Sequence, residues 1–245
     1  MSDRPAVVFG DVHGDVHKLQ NLIDIIRSRF GQEVDIVSVG DLIDRGPHSK
    51  EVVSLCIKEG IISCLGNHDY WLWKMLQGKG LDDVLGPAWG VHATLKSYDC
   101  PYSGKSQIEN FFMSVFPYDH KKYFNTKFHL FLKITIDDLT YWVTHAGVSD
   151  SAGQIALIRG DESDDEVMEN LAIGMPHQLY FGFPNLNSPN GLHKFKTGIQ
   201  IFGHQVVQNV VVSDHWIALD TGCGTRPPYT LSAVVLPTLE IIQIC

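Results

Sequence analysis

Five short segments of the sequence set a glycine beside residue types that bind metals or move protons. They are Gly10-Asp11-Val12-His13-Gly14, Gly40-Asp41-Leu42-Ile43-Asp44-Arg45-Gly46, Gly66-Asn67-His68-Asp69, Val143-Thr144-His145-Ala146-Gly147 and Phe202-Gly203-His204-Gln205. Asp11, His13, Asp41 and Asn67 offer carboxylate oxygen, amide oxygen and imidazole nitrogen, a set suited to Mn²⁺, Fe or Zn²⁺ rather than to Ca²⁺ or a thiolate site. His145 and His204 add two more ligands, more in all than one tetrahedral ion can use. With Asp41 bridging, the residues divide into one site of Asp11, His13 and Asp41 and a second of Asp41, Asn67, His145 and His204. Two ions about 3.5–4 Å apart can clamp a phosphate and make hydroxide from a shared water at neutral pH.

Residues so far apart in the chain need a scaffold that gathers them. Ala6 to Phe9 reads as a buried strand, Asp15 to Phe30 as a helix with Leu19, Leu22, Ile23 and Ile26 on one face, and Val34 to Val39 as a second strand. Ser49 to Lys58 is expected to be a helix, Ile61 to Leu65 a third strand, and Tyr70 to Leu76 the start of another helix. This β-α-β-α-β pattern gives a parallel sheet with helical crossovers, whose carboxyl edge is where ligands bind. The first three polar segments each follow one of its strands. A helical cap insertion is expected at about 78–125. Phe128 to Ile136 and Thr140 to Thr144 are expected to pair through a turn at Asp137-Asp138. The acidic run Asp161 to Glu169 reads as a solvated helix start. Short β-branched runs follow at 199–202, 206–213, 216–219, 231–236 and 240–244. The expected fold is α/β, a four-layer α/β-β/α sandwich of two mixed β-sheets flanked by helices, forming a single domain over 1–245.

Composition narrows the function classes. The 245 residues are 44% hydrophobic and 19% charged, enough to bury a core, and 19 Lys+Arg against 28 Asp+Glu give a net charge of -9. That balance argues against a surface built to attract nucleic acid or an anionic membrane. Five cysteines without a C-x-x-C pair indicate neither a disulfide framework nor a thiolate zinc site. The opening Met1-Ser2-Asp3-Arg4-Pro5 lacks the layout of an export signal, and no run is long enough to span a bilayer, so a cytoplasmic location is expected. No obligatory partner chain is indicated. The remaining eight histidines read as surface or core residues.

Taken together, the five segments resemble the signature of the calcineurin-like metallophosphoesterases, and Asp44-Arg45-Gly46 is similar to its phosphoprotein phosphatase branch. The likeness to bacterial and phage Ser/Thr phosphatases extends to Trp89-Gly90, Thr94-Leu95, Ser97-Tyr98 and Asp220-Thr221-Gly222. The resemblance implies the sandwich fold, two divalent metal ions (Mn²⁺ foremost, with Fe or Zn²⁺ as alternatives) and hydrolysis of phosphomonoesters by direct attack of metal-bridging hydroxide. His68 would then be the general acid, oriented by Asp44, while Arg45 and Asn67 would bind the substrate phosphate. The substrate would be a phosphorylated protein, at phosphoserine or phosphothreonine, or a small phosphate ester.

The sequence departs from that pattern at the second phosphate-binding arginine. Arg159, in Ile158-Arg159-Gly160-Asp161, lacks the usual aromatic neighbour, and Arg226 in the loop Gly222 to Pro228 is the other candidate. Two features resemble the symmetrical dinucleoside tetraphosphate hydrolases instead: Asp69 closing its segment, and Ala218-Leu219-Asp220-Thr221-Gly222-Cys223. Asp44 weighs toward the phosphatase. A catalytically silent binding protein on the same fold is the third alternative.

Overall fold

The computed structural model describes residues 4–79, 81, 85, 89–100, 104–147 and 198–245. Arg159 and the acidic run Asp161 to Glu169 lie outside these residues. The chain forms two mixed sheets with flanking helices. The first sheet contains β1 (Ala6–Phe9), β2 (Asp35–Ser38), β3 (Ile62–Cys64), β4 (Phe128–His129), β10 (Leu231–Leu236) and β11 (Glu240–Ile244), in the order β11-β10-β1-β2-β3-β4. The second contains β5 (Phe131–Ile136), β6 (Leu139–Thr144), β7 (Ile199–Phe202), β8 (Val211–Val212) and β9 (Trp216–Ala218), in the order β5-β6-β7-β9-β8.

Two periodicities fix the layers. Along β1, Val7 and Phe9 enter one apolar cluster while Ala6 and Val8 enter another, and β10 repeats this with Leu231, Ala233 and Val235 against Val234 and Leu236. A strand buried on both faces must lie in a central layer. The cluster holding Val8 also contains Tyr141, Val143, Ile201 and Ile217 of the second sheet, so it fills the space between the sheets. The other cluster packs the first sheet against α1 (Val16–Phe30) and α2 (Ser49–Glu59), which bury Leu19, Leu22, Ile23 and Ile26 and Val52, Val53 and Cys56. Asp15 starts α1 by accepting the Lys18 N–H at 3.1 Å, and Gly60 ends α2 in the left-handed conformation that a Cβ would disfavour.

Four further helices, α3 (Asn67–Leu76), α4 (Val91–Ser97), α5 (Lys105–Ser114) and α6 (Tyr118–Thr126), occupy the stretch before β4. Among the described residues, no helix is long and apolar enough to cross a membrane.

Two expected strands differ from the observed ones. The run Phe128 to Ile136 splits at buried Leu130: Phe128 and His129 pair in parallel with β3 in the first sheet, and Phe131 onward pairs antiparallel with β6 in the second. The apolar run is continuous because both pieces are needed in sheets, and it is the available partner strands that divide it. Of Val206 to Ser213, only Val211–Val212 is strand, held at the sheet edge by β9. The Asp137-Asp138 turn forms as expected, with φ of 50° and 64° at its two central residues.

Candidate active site

Strands β1, β2 and β3 run parallel in one sheet, and β6, β7 and β9 run parallel in the other. Their carboxyl ends carry the polar segments. Asp11 and His13 follow β1, Asp41 and Asp44 follow β2, Asn67 and His68 open α3 after β3, His145 follows β6, His204 follows β7 and Asp220 follows β9. Backbone hydrogen bonds join the loops: Val12 and His13 N–H both donate to the Asp41 carbonyl, at 3.1 and 2.9 Å, and Gly203 N–H donates to the His145 carbonyl at 2.9 Å.

The gathering imposes unusual backbone conformations. His13, Asp41, Asp44, Arg45 and His204 all have positive φ, between 46° and 70°, which is uncommon for residues with a Cβ. Such strain collects where surrounding structure over-determines a functional geometry. Close approach makes a further demand at two glycines: a Cβ on Gly66 would collide with Asp41 Oδ1, and one on Gly203 with Asp11 Oδ1.

Around Asp41 the side chains converge with too few hydrogens between them. His145 Nδ1 lies 3.1 Å from the Val39 carbonyl and His13 Nδ1 lies 3.1 Å from the Ile43 carbonyl. A carbonyl only accepts, so each Nδ1 carries the proton and each Nε2 presents a lone pair. Burial lowers the pKa of His13 and of His204 to about 3 and lowers that of His145, which favours the neutral form of these rings. Nevertheless His13 Nε2 and His145 Nε2 each face an Asp41 oxygen at 3.5 Å, and His145 Nε2 lies 3.0 Å from Asn67 Oδ1. His204 Nδ1 stands 3.1 Å from His145 Nε2 and 2.9 Å from Asn67 Oδ1 and carries at most one hydrogen for both.

The carboxylates tell the same story. Burial raises Asp11 well above the ordinary carboxylate range, and the charges of Asp220 and Asp41 add to the rise. Burial also raises Asp220, to about 6. Buried like charges and opposed lone pairs are costly unless a cation lies among them. The donor set therefore fits divalent metal.

The ligand atoms form two groups, each with every atom within 4.8 Å of the others: His13, Asp41 and His68, and Asp41, His145 and His204. The first group holds His68 where the sequence reading put Asp11, and Asn67 Oδ1 lies against the second, 3.0 Å from His145 Nε2 and 2.9 Å from His204 Nδ1. Asp11 is in neither group, and both its oxygens accept from the His204 backbone N–H at 3.1 Å.

Three residues along the same loop from Asp41, Asp44 has the opposite surroundings. It is fully buried, yet Oδ1 accepts from Thr94 Oγ1 at 2.6 Å and Oδ2 accepts from Trp71 Nε1 and His68 Nδ1, both at 2.9 Å. Burial raises its pKa, against which these three donors act. Arg45 Nη2 then donates to His68 Nε2 at 3.0 Å. A guanidinium has only donors, so His68 is held with its proton on Nδ1. Trp89 closes the other side, its ring centroid 5.2 Å from that of His68.

Sequence reasoning missed several members of this site. Asp69 accepts the backbone N–H groups of Asp41 (2.6 Å), Leu42 (3.1 Å) and Gly66 (3.2 Å), which locks the second and third loops together. Its place three residues after Gly66, at the start of a helix, is the spacing of a capping acid, and that was the available signal. Trp71, a buried residue of the core, also donates to Asp44. Arg226 is exposed, and its charge opposes the rise at Asp220.

A family model described as calcineurin-like phosphoesterase matches residues 4–208. The chain belongs to the calcineurin-like phosphoesterase family. It is 25% identical over 216 residues to serine/threonine-protein phosphatase 2 of Escherichia coli (strain K12), covering 88% of this chain and 86% of that one. It is 22% identical over 259 residues to the asymmetrical bis(5'-nucleosyl)-tetraphosphatase PrpE of Bacillus cereus (strain 03BB102), covering 97% and 92%. Among solved structures, a chain assigned as a diadenosine tetraphosphatase shares the fold with a TM-score of 0.63 at 22% identity, covering 99% and 94%.

Proposed function

We propose that this phosphoesterase hydrolyses phosphomonoesters with two divalent ions, and that its substrates are phosphoserine or phosphothreonine residues of proteins. The supporting observation is the ordered chain Asp44, His68, Arg45 beside the Asp41 cluster: 2.9 Å from Asp44 Oδ2 to His68 Nδ1 and 3.0 Å from His68 Nε2 to Arg45 Nη2.

His13, Asp41, Asn67, His145 and His204 would hold the ions, with Asp11 joining through its buried carboxylate and Asp41 shared. Bound there, divalent ions, Mn²⁺ foremost with Fe or Zn²⁺ as alternatives, supply Lewis-acid charge and acidify water at neutral pH. The protein's own residues do the rest. Arg45 forks two hydrogen bonds onto phosphate oxygens, and the Asn67 amide adds another. When the Arg45 guanidinium turns to phosphate it leaves His68 Nε2 free. Protonated there, His68 gives that proton to the leaving oxygen as the P–O bond breaks. Asp44 keeps Nδ1–H in place and stabilises the imidazolium. Arg226, and Arg159 in the segment outside the described residues, are the candidates for a second phosphate-binding cation.

The second reading is a dinucleoside tetraphosphate hydrolase, favoured by the likeness to PrpE across nearly the whole chain. It uses the same residues on a phosphoanhydride. Turnover of a phosphothreonine peptide and of a dinucleoside tetraphosphate, measured on one Mn²⁺-loaded sample, separates the two. The phosphatase reading expects the peptide to have the higher kcat/KM, and the reverse order overturns it. No turnover of either, nor of an aryl phosphate, would leave a silent binding protein.

A further inference from the structure

We propose that the cleft between α2 and α4 binds acidic residues flanking the scissile phosphate group of a polypeptide substrate. The proposal rests on the phosphatase reading for the role of Arg45, and deepens it. The cleft has a volume of about 600 Å³, within the range of ligand sites, and Arg45 is part of its lining. A substrate whose phosphate meets Arg45 therefore continues into this space.

Three observations define what the cleft accepts. First, α2 and α4 each contribute one lysine to its wall, Lys50 and Lys96. Lys18 and Lys58 are ion-paired with Asp15 and Glu59, but Lys50 and Lys96 make no ion pair among the described residues. In a chain of net charge -9, a lining with three cations, Arg45, Lys50 and Lys96, against two carboxylates, Glu51 and Asp99, is a small local reversal of sign. Second, the walls are fixed before any ligand arrives. Lys50 N–H donates to Ser97 Oγ at 3.2 Å, Ser49 Oγ and Thr94 Oγ1 lie 2.9 Å apart, and Ser54 Oγ donates to the Lys50 carbonyl at 2.9 Å. A pre-formed cleft binds without the cost of ordering its walls.

Third, no aromatic side chain lines the cleft among the described residues, and Glu51 and Asp99 line it together with the lysines. Nucleobases are held by stacking on aromatic faces. A lining with both acceptors and cations suits a peptide instead, whose backbone N–H groups need acceptors and whose carboxylates need cations.

The test uses Mn²⁺-loaded protein and two peptides carrying a non-hydrolysable phosphonate analogue of phosphothreonine, flanked by Asp and Glu in one and by Asn and Gln in the other. Fluorescence anisotropy gives the affinities, and an aryl phosphate reports basal activity. The acidic peptide is expected to bind about tenfold more tightly, as two new ion pairs allow. That preference should vanish in the Lys50→Ala, Lys96→Ala double variant, with aryl phosphate turnover unchanged, and persist in the Lys50→Arg, Lys96→Arg control. Equal affinities in the wild type, or a preference that survives the alanine variant, would overturn the proposal. A dinucleoside tetraphosphate whose affinity falls tenfold in the alanine variant would also overturn it, by making the cleft a polyphosphate site. Absent aryl phosphate turnover in both proteins would refute the phosphatase reading, while the anisotropy still reads the cleft.

Discussion

Asp41 and Asp44 lie three residues apart on one loop, both are buried and both have positive φ, yet they keep opposite company. Asp44 receives hydrogen bonds from Thr94, Trp71 and His68. Asp41 accepts one, from the His68 backbone N–H at 2.9 Å, and otherwise faces imidazole lone pairs. A buried polar group is satisfied within the protein or by something bound. The difference teaches that the Asp44 cluster is complete as a piece of protein, whereas the Asp41 cluster leaves acceptors facing one another, which is what our proposal of a metal centre there explains.

The largest expected effect breaks this comparison at Asp41. Asp41→Asn removes the carboxylate common to both ligand groups and should lower aryl phosphate kcat/KM about 10³-fold or more, the several kcal/mol that a metal supplies. Metal content measured after dialysis should fall with it; full activity with full metal would refute the role of Asp41.

His68→Ala sharpens the comparison next, because His68 lies within reach of the His13 and Asp41 group while both its ring nitrogens are already engaged by Asp44 and Arg45. A general acid contributes about 10²–10⁴-fold. The loss should be large for an alkyl phosphate and small for an aryl phosphate with a good leaving group, with metal content unchanged. A loss of metal instead would make His68 a ligand.

A smaller effect is expected at the buried donor behind it. Thr94→Val leaves Asp44 Oδ1 without its 2.6 Å bond and should cost about 1–3 kcal/mol of stability by denaturant unfolding. Activity should drop about tenfold without any change in metal content, since Thr94 reaches the active site through Asp44, whose carboxylate and backbone N–H it bonds. Wild-type stability and activity in this variant would mean that Asp44 does not need the bond.

Much of this arrangement was legible because its periodicities are local. Alternation in β1 and the 3.6-residue stripe of α1 need only neighbouring residues, and the polar segments stand at strand ends where parallel sheets expose them. What escaped depends on partners distant in sequence. The break at Leu130 reflects the competing edges of β3 and β6, and the short β8 reflects how little of Val206 to Ser213 finds a strand to pair with. The hydrogen bonds of Asp69 and Trp71 escaped because their partners, the backbone N–H groups of Asp41 and Leu42 and the carboxylate of Asp44, lie 27 or 28 residues earlier in the chain.

The most direct test of the central claim is a count of ions bound to the two groups that share Asp41. Titration of Mn²⁺ into chelator-treated protein, followed by the electron paramagnetic resonance signal of the free ion, should show about two equivalents taken up per chain. Asp41→Asn should lose that uptake, while Thr94→Val should retain it. No uptake by the wild-type protein, or full uptake without Asp41, would contradict the account.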